Sequence, residues 1–392
     1  MSQEPDFRYE WIDGAEPLEL YSPGGYHPIN IDDVLHHRYR IVDKLGYGGY
    51  STVWLARDIR DQAQPQPFVA VKVGISDSQS KETGILRVLN SDNPSSPSPL
   101  LIPLRQLSAG RSAIPPLLDE FQIIGPNGTH PCYTTLPAQY IHLCNVFSKL
   151  PSGMDDMSTE QFIKEYGKPE TVELTMRNRK PLPPNAPARA VLPGRLGKPA
   201  KQFELSDASI MLGDFGEALL ASDTRVAQES HAPLSSRPPE AQLDPQIRLT
   251  SSADIWSLAV AIWDLVGMKS IFNASFATAD EVLADMIDVL GPLPREWSES
   301  WSGRDELFDP NGERRVKINT LPPIDKHFDD RVQFYRQKRN MGIFSDEEKA
   351  ALLVLLRGML KFHPDDRLSV DDVLKSKWMV KWALPEFERI PG

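Results

Sequence analysis

The sequence has only two cysteines, Cys132 and Cys144, in 392 residues. Secreted proteins of this size usually carry more, so the composition favours a reducing compartment. The amino terminus, Met1–Trp11, is acidic and polar and lacks the apolar core of a secretory signal peptide. The most apolar stretch, Ile255–Val266, includes Asp264 and is too short to span a bilayer. We therefore expect a soluble protein of the cytoplasm and nucleus that binds no membrane.

Basic residues are also in deficit, because 43 Lys and Arg face 54 Asp and Glu, giving a formal net charge of −11. This balance disfavours general binding to nucleic acid and suits basic partners. The apolar fraction of 40% is ordinary for a globular protein. Domains of roughly 100–200 residues allow two to four domains or one bilobed enzyme. The 35 prolines indicate that part of the chain is extended loop.

The first half of the chain is rich in strand-forming residues. A turn at Gly46–Gly49 separates two β-branched or aromatic runs, which is typical of a hairpin. The pattern predicts strands over Tyr39–Leu45, Ser51–Ala56 and Phe68–Val73, a short helix within Ser78–Leu89 and two strands within Leu118–Leu136.

The second half is helical in pattern. Apolar spacing predicts helices over Ala253–Met268 and Ala279–Leu290. Two further helices begin at Ser345 and Ser369, each followed three residues later by an acidic residue, as in a capping box. The order, strands first and helices second, predicts an α+β fold.

Residues 150–205 lack a clear periodicity. Between Leu174 and Phe203 there are many prolines and basic residues and no acidic residue. This composition predicts an extended surface insert. A basic docking or localisation patch is the alternative interpretation.

Three features suggest a phosphate site. Gly46–Ser51 (GYGGYS) lies between two predicted strands, where glycines let backbone N–H groups approach phosphate oxygens. A glycine hairpin alone is more often just a turn, but Lys72 follows on a strand and can hold phosphates. Glu82, on the next predicted helix, can pair with Lys72 and fix its amine.

A fourth feature follows in the expected order. Leu212–Gly216 (LGDFG) places Asp214 beside a flexible glycine after an apolar run. An aspartate in this position can coordinate Mg²⁺ that bridges phosphates. The tripeptide alone occurs by chance, but after the hairpin, Lys72 and Glu82 it is a specific signal.

With these motifs the chain resembles the eukaryotic protein kinases, and among them the SR-protein kinases (SRPK type), especially the short fungal type. Four matching blocks come first along the chain: Tyr21–Pro28 (YSPGGYHP), Lys44–Gly48 (KLGYG), Ser51–Asp58 (STVWLARD) and Asp214–Ala218 (DFGEA). Four more follow: Arg237–Glu240 (RPPE), Asp254–Ser257 (DIWS), Leu290–Pro294 (LGPLP) and His363–Arg367 (HPDDR). The resemblance covers roughly residues 17–382.

The resemblance implies a bilobed kinase-like fold and an ATP-dependent serine/threonine protein kinase with ATP and Mg²⁺ as cofactors. Its substrates would be basic, Arg-Ser-rich proteins, with a role in regulating mRNA splicing, and the chain would be a monomer without direct nucleic-acid binding. The ATP-binding residues would be Leu45, Gly46, Gly48, Ser51, Val53, Ala70, Lys72 and Glu82, and the metal ligand would be Asp214. Glu240, Asp254 and Arg367 would be structural, with Arg367 paired to Glu240.

The same resemblance implies four segments. Residues 1–38 would form an N-terminal extension and 39–136 the small lobe, with the hinge near Leu136. Residues 137–382 would form the large lobe, including the insert 150–205, and 383–392 a C-terminal tail.

One departure concerns catalysis. A kinase needs a loop of the type His-x-Asp-x-x-x-x-Asn, whose Asp accepts the substrate hydroxyl proton and whose Asn holds a second Mg²⁺. The last histidine before Asp214 is His142, and no Asp follows it at that spacing, so no catalytic residue is identifiable. The carboxylates without a role are Asp155 and Asp156, which lack a partner asparagine.

The hinge-like Leu136–Phe147 runs straight into the insert, so the sequence predicts a deletion near Phe147–Lys149. The lost helix and loop would leave Asp254 without partners and uncover the helix that begins at Ala253. Two hypotheses stay open. The chain is either an SRPK-type kinase whose sequence lacks one segment, or a non-catalytic ATP-binding pseudokinase or scaffold.

Overall fold

The structure is a computed structural model that describes residues 8–60, 66–78, 81–91, 110–140, 145–150, 152–194, 196, 202–220, 223, 226, 232–267, 269–273, 276–316 and 320–390. The chain forms two compact units, Met1–Ala218 and Leu219–Gly392. The predicted order, strands first and helices second, is confirmed. The division lies further along the chain than the lobe boundary expected after residue 136, and the four expected segments stay a prediction.

A six-stranded antiparallel sheet is the centre of the first unit. Its strands are β1 (Val34–Leu35), β2 (Tyr39–Gly48), β3 (Ser51–Asp58), β4 (Phe68–Gly74), β5 (Asp119–Gly125) and β6 (Gly128–Thr135), in the order β1-β2-β3-β4-β6-β5. Helix α1 covers Glu82–Asn90. Tyr39, Ile41, Trp54, Val71 and Val73 form one buried cluster, as their alternation along the strands requires.

A second, three-stranded sheet corrects the expected hinge. Strands β7 (Ala138–Tyr140), β8 (Val146–Lys149) and β11 (Ile210–Leu212) pair antiparallel in the order β11-β8-β7. Phe147 lies opposite Met211, and Gly213 N–H donates to the Asn145 carbonyl at 3.0 Å. Residues 146–147 therefore do not continue the hinge, because they form the strand that supports Asp214. Residues 141–144 lie outside the described part of the chain.

The insert 150–205 is more structured than its composition predicts. It contains α2 (Thr159–Tyr166), begun by a Ser158 capping box, and an antiparallel pair, β9 (Thr171–Glu173) and β10 (Arg189–Val191). Met154 and Phe162 are buried in one cluster with Leu55 and Phe68 of the large sheet. The prediction of an extended surface insert is therefore wrong for these residues, because a few well-placed apolar side chains cover the sheet.

The N-terminal extension is also packed rather than free. Tyr9, Leu18, Tyr21 and Tyr26 form a buried cluster with side chains of the insert, among them Leu174. This cluster lies within the first unit.

The second unit is helical. Its α-helices are α3 (Glu240–Leu243), α4 (Ser251–Gly267), α5 (Ala279–Leu290), α6 (Arg295–Ser300), α7 (Arg304–Leu307), α8 (Ile324–Phe328), α9 (Phe334–Lys338), α10 (Asp346–Met359), α11 (Val370–Lys375) and α12 (Leu384–Glu388). Trp256, Trp263 and Phe328 lie in its core. Ser345 and Ser369 cap α10 and α11 as predicted. Over the described ranges, every helix is too short or too polar to cross a membrane.

Helix α4 has an uncovered apolar face. Its sequence is apolar nearly all round, which is typical of a helix buried on every side. Nevertheless the side chains of Leu258 and Leu265, seven residues apart on one face, are 41% and 60% exposed. Asp254 lies four residues before Leu258 on the same face, and its carboxylate accepts no hydrogen bond from the described residues. Two leucines of α4 are thus exposed, and the expectation that a lost segment would cover them stays a prediction.

Candidate nucleotide-binding site

The first unit contains a pocket that brings most of the predicted site residues together. It encloses a cavity of about 130 Å³ that opens to solvent. The lining includes Leu45, Gly46, Gly48, Ser51, Val53, Ala70, Lys72 and Asp214, all of them predicted from the sequence. Glu82 does not line the pocket, but its carboxylate forms an ion pair with Lys72, which does. The sequence missed lining residues contributed by other strands, such as Tyr133, Phe147 and Met211.

The glycine hairpin forms the upper edge of this pocket. Strands β2 and β3 pair up to Gly48 opposite Ser51, leaving Gly49 and Tyr50 as the turn. A Cβ atom added to Gly48 or Gly49 would meet no atom of the described residues within 4 Å. The described part of the chain therefore leaves the space beside these glycines open, and a ligand can approach the backbone closely there.

Lys72 connects the two acidic residues that were predicted with it. Its Nζ lies 2.8 Å from Glu82 Oε2 and 3.2 Å from Asp214 Oδ1. Burial alone would lower the pKa of Lys72, but the charges of Glu82 and Asp214 raise it above its ordinary value. The amine is therefore a fixed positive charge in the pocket.

Glu82 is held by more donors than the sequence predicts. Its side chain is 3% exposed and also accepts the Phe215 N–H at 2.9 Å. Tyr133, opposite Lys72 on β6, makes a further hydrogen bond to it. Burial and then the Glu82 charge raise the pKa of the Tyr133 hydroxyl above its usual range, so it stays protonated. The cross-strand register places Tyr133 here, and no motif in the sequence marks it.

Asp214 presents its carboxylate to solvent at the pocket. Its side chain is 61% exposed, and its backbone is left-handed, with φ +60°. Aspartate tolerates this sparsely populated region better than most residues, and such strain clusters at functional sites. The preceding Gly213 has no room for a side chain, because a Cβ atom there would lie 2.3 Å from the Phe147 ring. Strands β8 and β11 therefore position the aspartate.

The predicted structural pair lies in the second unit. Arg367 Nη1 donates to Glu240 Oε1 at 2.8 Å and Nη2 to Oε2 at 2.5 Å, with both side chains almost fully buried. The structure thus brings these two residues together, 127 positions apart in the chain.

Asp155 has a structural contact rather than a place in the pocket. Its Oδ1 accepts the Phe68 N–H at 3.0 Å, at the start of β4. Neither Asp155 nor Asp156 lines the pocket. The structure therefore does not bring these two carboxylates to the predicted nucleotide site.

The pocket residues fit ATP with a divalent metal. The apolar side chains of Leu45, Val53 and Ala70 suit a flat base, and the open glycine edge with the Lys72 amine suits phosphates. Mg²⁺ keeps several waters and needs only one or two carboxylates when phosphates supply the other ligands. The single exposed carboxylate of Asp214 fits this role. Across the described ranges, no group of three or more His, Cys, Asp or Glu side chains forms a separate metal cluster.

Comparisons with known proteins agree with this geometry. The protein kinase domain family matches residues 200–379. A serine/threonine protein kinase of Aspergillus fumigatus is 25% identical, covering 93% of this chain and 90% of the relative. The serine/threonine-protein kinase SRPK of Physarum polycephalum is 26% identical over 422 aligned positions, and the alignment covers 93% of this chain and 91% of the relative. The human SRSF protein kinase 3 is 40% identical over 117 residues, 29% of this chain and 18% of the relative.

The chain is similar to protein kinases of the SRPK type. The predicted resemblance is thereby confirmed, and so is the predicted fold class, with an antiparallel β-rich first part and a helical second part. A kinase domain uses ATP and a divalent metal in general. The domain match begins at residue 200 and leaves out most of the pocket residues. The assignment of those residues therefore depends on their geometry and on the relatives that align over 93% of the chain.

Proposed function

We propose that the chain binds ATP with Mg²⁺ in the pocket of its first unit, as a member of the serine/threonine protein kinases of SRPK type. The observation that carries this proposal is the position of the Lys72 amine between Glu82 and Asp214, at 2.8 and 3.2 Å. A fixed amine beside one buried and one exposed carboxylate can hold phosphates and a metal at once.

Each residue has a distinct task in this proposal. Lys72 binds the α- and β-phosphates, while Glu82 keeps the amine oriented. Asp214 binds the metal, and the hairpin backbone at Gly46–Ser51 covers the phosphates. When bound, ATP supplies the phosphoryl group and the metal neutralises its charge. The protein's own contribution is position and electrostatic stabilisation.

The substrates follow from the relatives. We propose basic, Arg-Ser-rich proteins as the substrates of the complete enzyme, because the similar proteins are named as SRSF and SRPK kinases. The net charge of −11 suits such basic partners. We also propose the cytoplasm and nucleus as its location, as expected for kinases of splicing factors.

The polypeptide as written does not complete the reaction, because it lacks the catalytic aspartate. The alignment with the Physarum kinase is longer than the 392-residue chain, so the relative has residues where this chain has none. We propose that the gap lies before Asn145 rather than near Phe147–Lys149, and the pairing of β8 with β11 supports this position. Strand β8 is intact and in register with β11, and Asn145 directly precedes it. Asn145 then fits the asparagine that closes a kinase catalytic loop.

Nucleotide binding can be tested without any phosphoryl transfer. We expect Lys72→Ala to weaken Mg-ATP binding about 10- to 100-fold, the range of one or two charge-assisted hydrogen bonds. Isothermal calorimetry measures this, with the exposed Lys81→Ala as the matched control. Because Lys72→Ala leaves Glu82 buried without its cation, thermal unfolding must show that it folds.

Asp214→Asn gives an independent test that does not disturb the buried pair. We expect it to abolish the Mg²⁺ dependence of ATP binding, because the amide lacks the negative charge of the proposed metal ligand. The Asp214 side chain is 61% exposed, so the substitution should not disturb packing. Equal Mg-ATP affinity in wild type, Lys72→Ala and Asp214→Asn would contradict the proposed site.

A further inference from the structure

The tip of the glycine hairpin is held by polar contacts from outside the hairpin. The Tyr26 hydroxyl donates to the Gly48 carbonyl at 2.7 Å. On the other side of the turn, the Ile75 N–H donates to the Tyr50 carbonyl at 2.9 Å. Since no described residue packs beside Gly48 and Gly49 on their open side, these two hydrogen bonds help to set the position of the tip.

Tyr26 itself is rigidly placed. Its side chain is 1% exposed, and its ring meets the Tyr21 ring edge-on at 5.6 Å between centroids. Its N–H donates to the Leu20 carbonyl at 2.8 Å, and its carbonyl accepts the Asn127 amide at 2.6 Å. Gly25 allows this tight turn, because a Cβ atom there would lie 1.9 Å from the Leu20 carbonyl oxygen. The hydroxyl therefore approaches Gly48 from a fixed position.

The extension also holds the middle of the same strand. Lys44, four residues before Gly48, is fully buried in an ion pair with Glu16, which also accepts a hydrogen bond from the Tyr21 hydroxyl. The Lys44 carbonyl accepts the Gly194 N–H of the insert at 2.8 Å. The strand that leads into the hairpin is thus attached to the extension at its middle, through Lys44, and at its tip, through Gly48.

We propose that Tyr26 is a positioning residue, whose hydroxyl fixes the glycine hairpin over the phosphate part of the pocket and so makes nucleotide affinity depend on the N-terminal extension. This inference rests on the proposed nucleotide binding. It goes beyond that function, because Tyr26 does not line the pocket. The side chains that suit the base, Leu45, Val53 and Ala70, lie away from the tip. Loss of the Tyr26 hydroxyl should therefore weaken binding of the phosphate groups and not of the base.

The test compares Tyr26→Phe with Tyr9→Phe. Both tyrosines are buried in the same cluster, and within the described residues the Tyr9 hydroxyl has no hydrogen-bond partner. Both variants keep the ring, so packing is retained. We expect Tyr26→Phe to speed amide hydrogen exchange in residues 46–52 of the nucleotide-free chain. We expect it to weaken Mg-ATP binding about three- to tenfold, the range of one neutral hydrogen bond, and to leave adenosine binding unchanged.

The outcomes separate this inference from the proposed function. Hairpin exchange and Mg-ATP affinity equal to those of Tyr9→Phe would overturn the role of Tyr26. An equal loss for adenosine and Mg-ATP would overturn it as well, because a general loss of packing affects both ligands. A wild-type chain that binds no nucleotide would refute the proposed function and the dependence of affinity on Tyr26. The exchange measurement would still decide whether Tyr26 holds the hairpin.

Discussion

Arg367→Ala should lower the unfolding free energy of the helical unit by about 3–5 kcal/mol, the usual effect of removing one partner of a buried ion pair. All five guanidinium N–H groups are used. Two bind Glu240, and the others donate to the carbonyls of Ser252, Lys361 and Phe362 at 2.9 Å. The substitution leaves a buried carboxylate and three carbonyls without their donor. In a domain of this size 1 kcal/mol corresponds to roughly 2–4 °C in Tm.

Arg295→Ala provides the matched control in the same unit. Arg295 also forms an ion pair, with Glu299, but its side chain is 88% exposed. Such surface pairs contribute little, about 0–1 kcal/mol. Thermal unfolding of the full chain measures both variants. A Tm for Arg367→Ala no lower than that for Arg295→Ala would show that the buried pair does not stabilise the unit.

Sequence order was sufficient to predict the centre of the site. Lys72, Glu82 and Asp214 were predictable because phosphate and metal binding need these charges, and the motifs occur in a fixed order along the chain. Their distances of 2.8 and 3.2 Å confirm that the fold brings them together. Tyr133 was not predictable, because its contact with Glu82 depends on the register of β4 against β6.

The insert shows why composition misled the prediction. Many prolines and no acidic residues between Leu174 and Phe203 are typical of a loop. However, only a few side chains, such as Met154 and Phe162, are needed to seal the outer face of the sheet. A few buried residues spread along a long polar segment leave no periodic signal, so only packing such as that of Phe162 against Phe68 reveals them.

The position of the gap was also hidden in the sequence. Val146–Lys149 is a four-residue strand that continues an apolar run from the expected hinge, and nothing local separates the two. Only its pairing with Ile210–Leu212 shows that it belongs beside Asp214. The correction changes where a repair must be made.

The 392-residue chain should show no serine phosphorylation of an Arg-Ser-rich peptide above background. A catalytic base alone is typically worth 10²–10⁴-fold, and the lost positioning adds to that. Radiolabel transfer from ATP to the peptide measures this. Robust activity of the unmodified chain, abolished by Asp214→Asn, would contradict the expectation.

Inserting a kinase-type helix and catalytic loop between Tyr140 and Asn145 should restore phosphoryl transfer to the peptide, raising its rate by at least the 10²–10⁴-fold that a catalytic base contributes. It should also raise solubility, because the resemblance places the missing helix against α4, where Leu258 and Leu265 are now 41% and 60% exposed. The matched control carries the same insert with asparagine in place of the loop aspartate, and should be soluble but inactive. The same insert between Phe147 and Lys149 should misfold, because it interrupts the pairing of β8 with β11. If that second position restored activity and the first did not, the assignment of Asn145 to the end of the catalytic loop would be wrong.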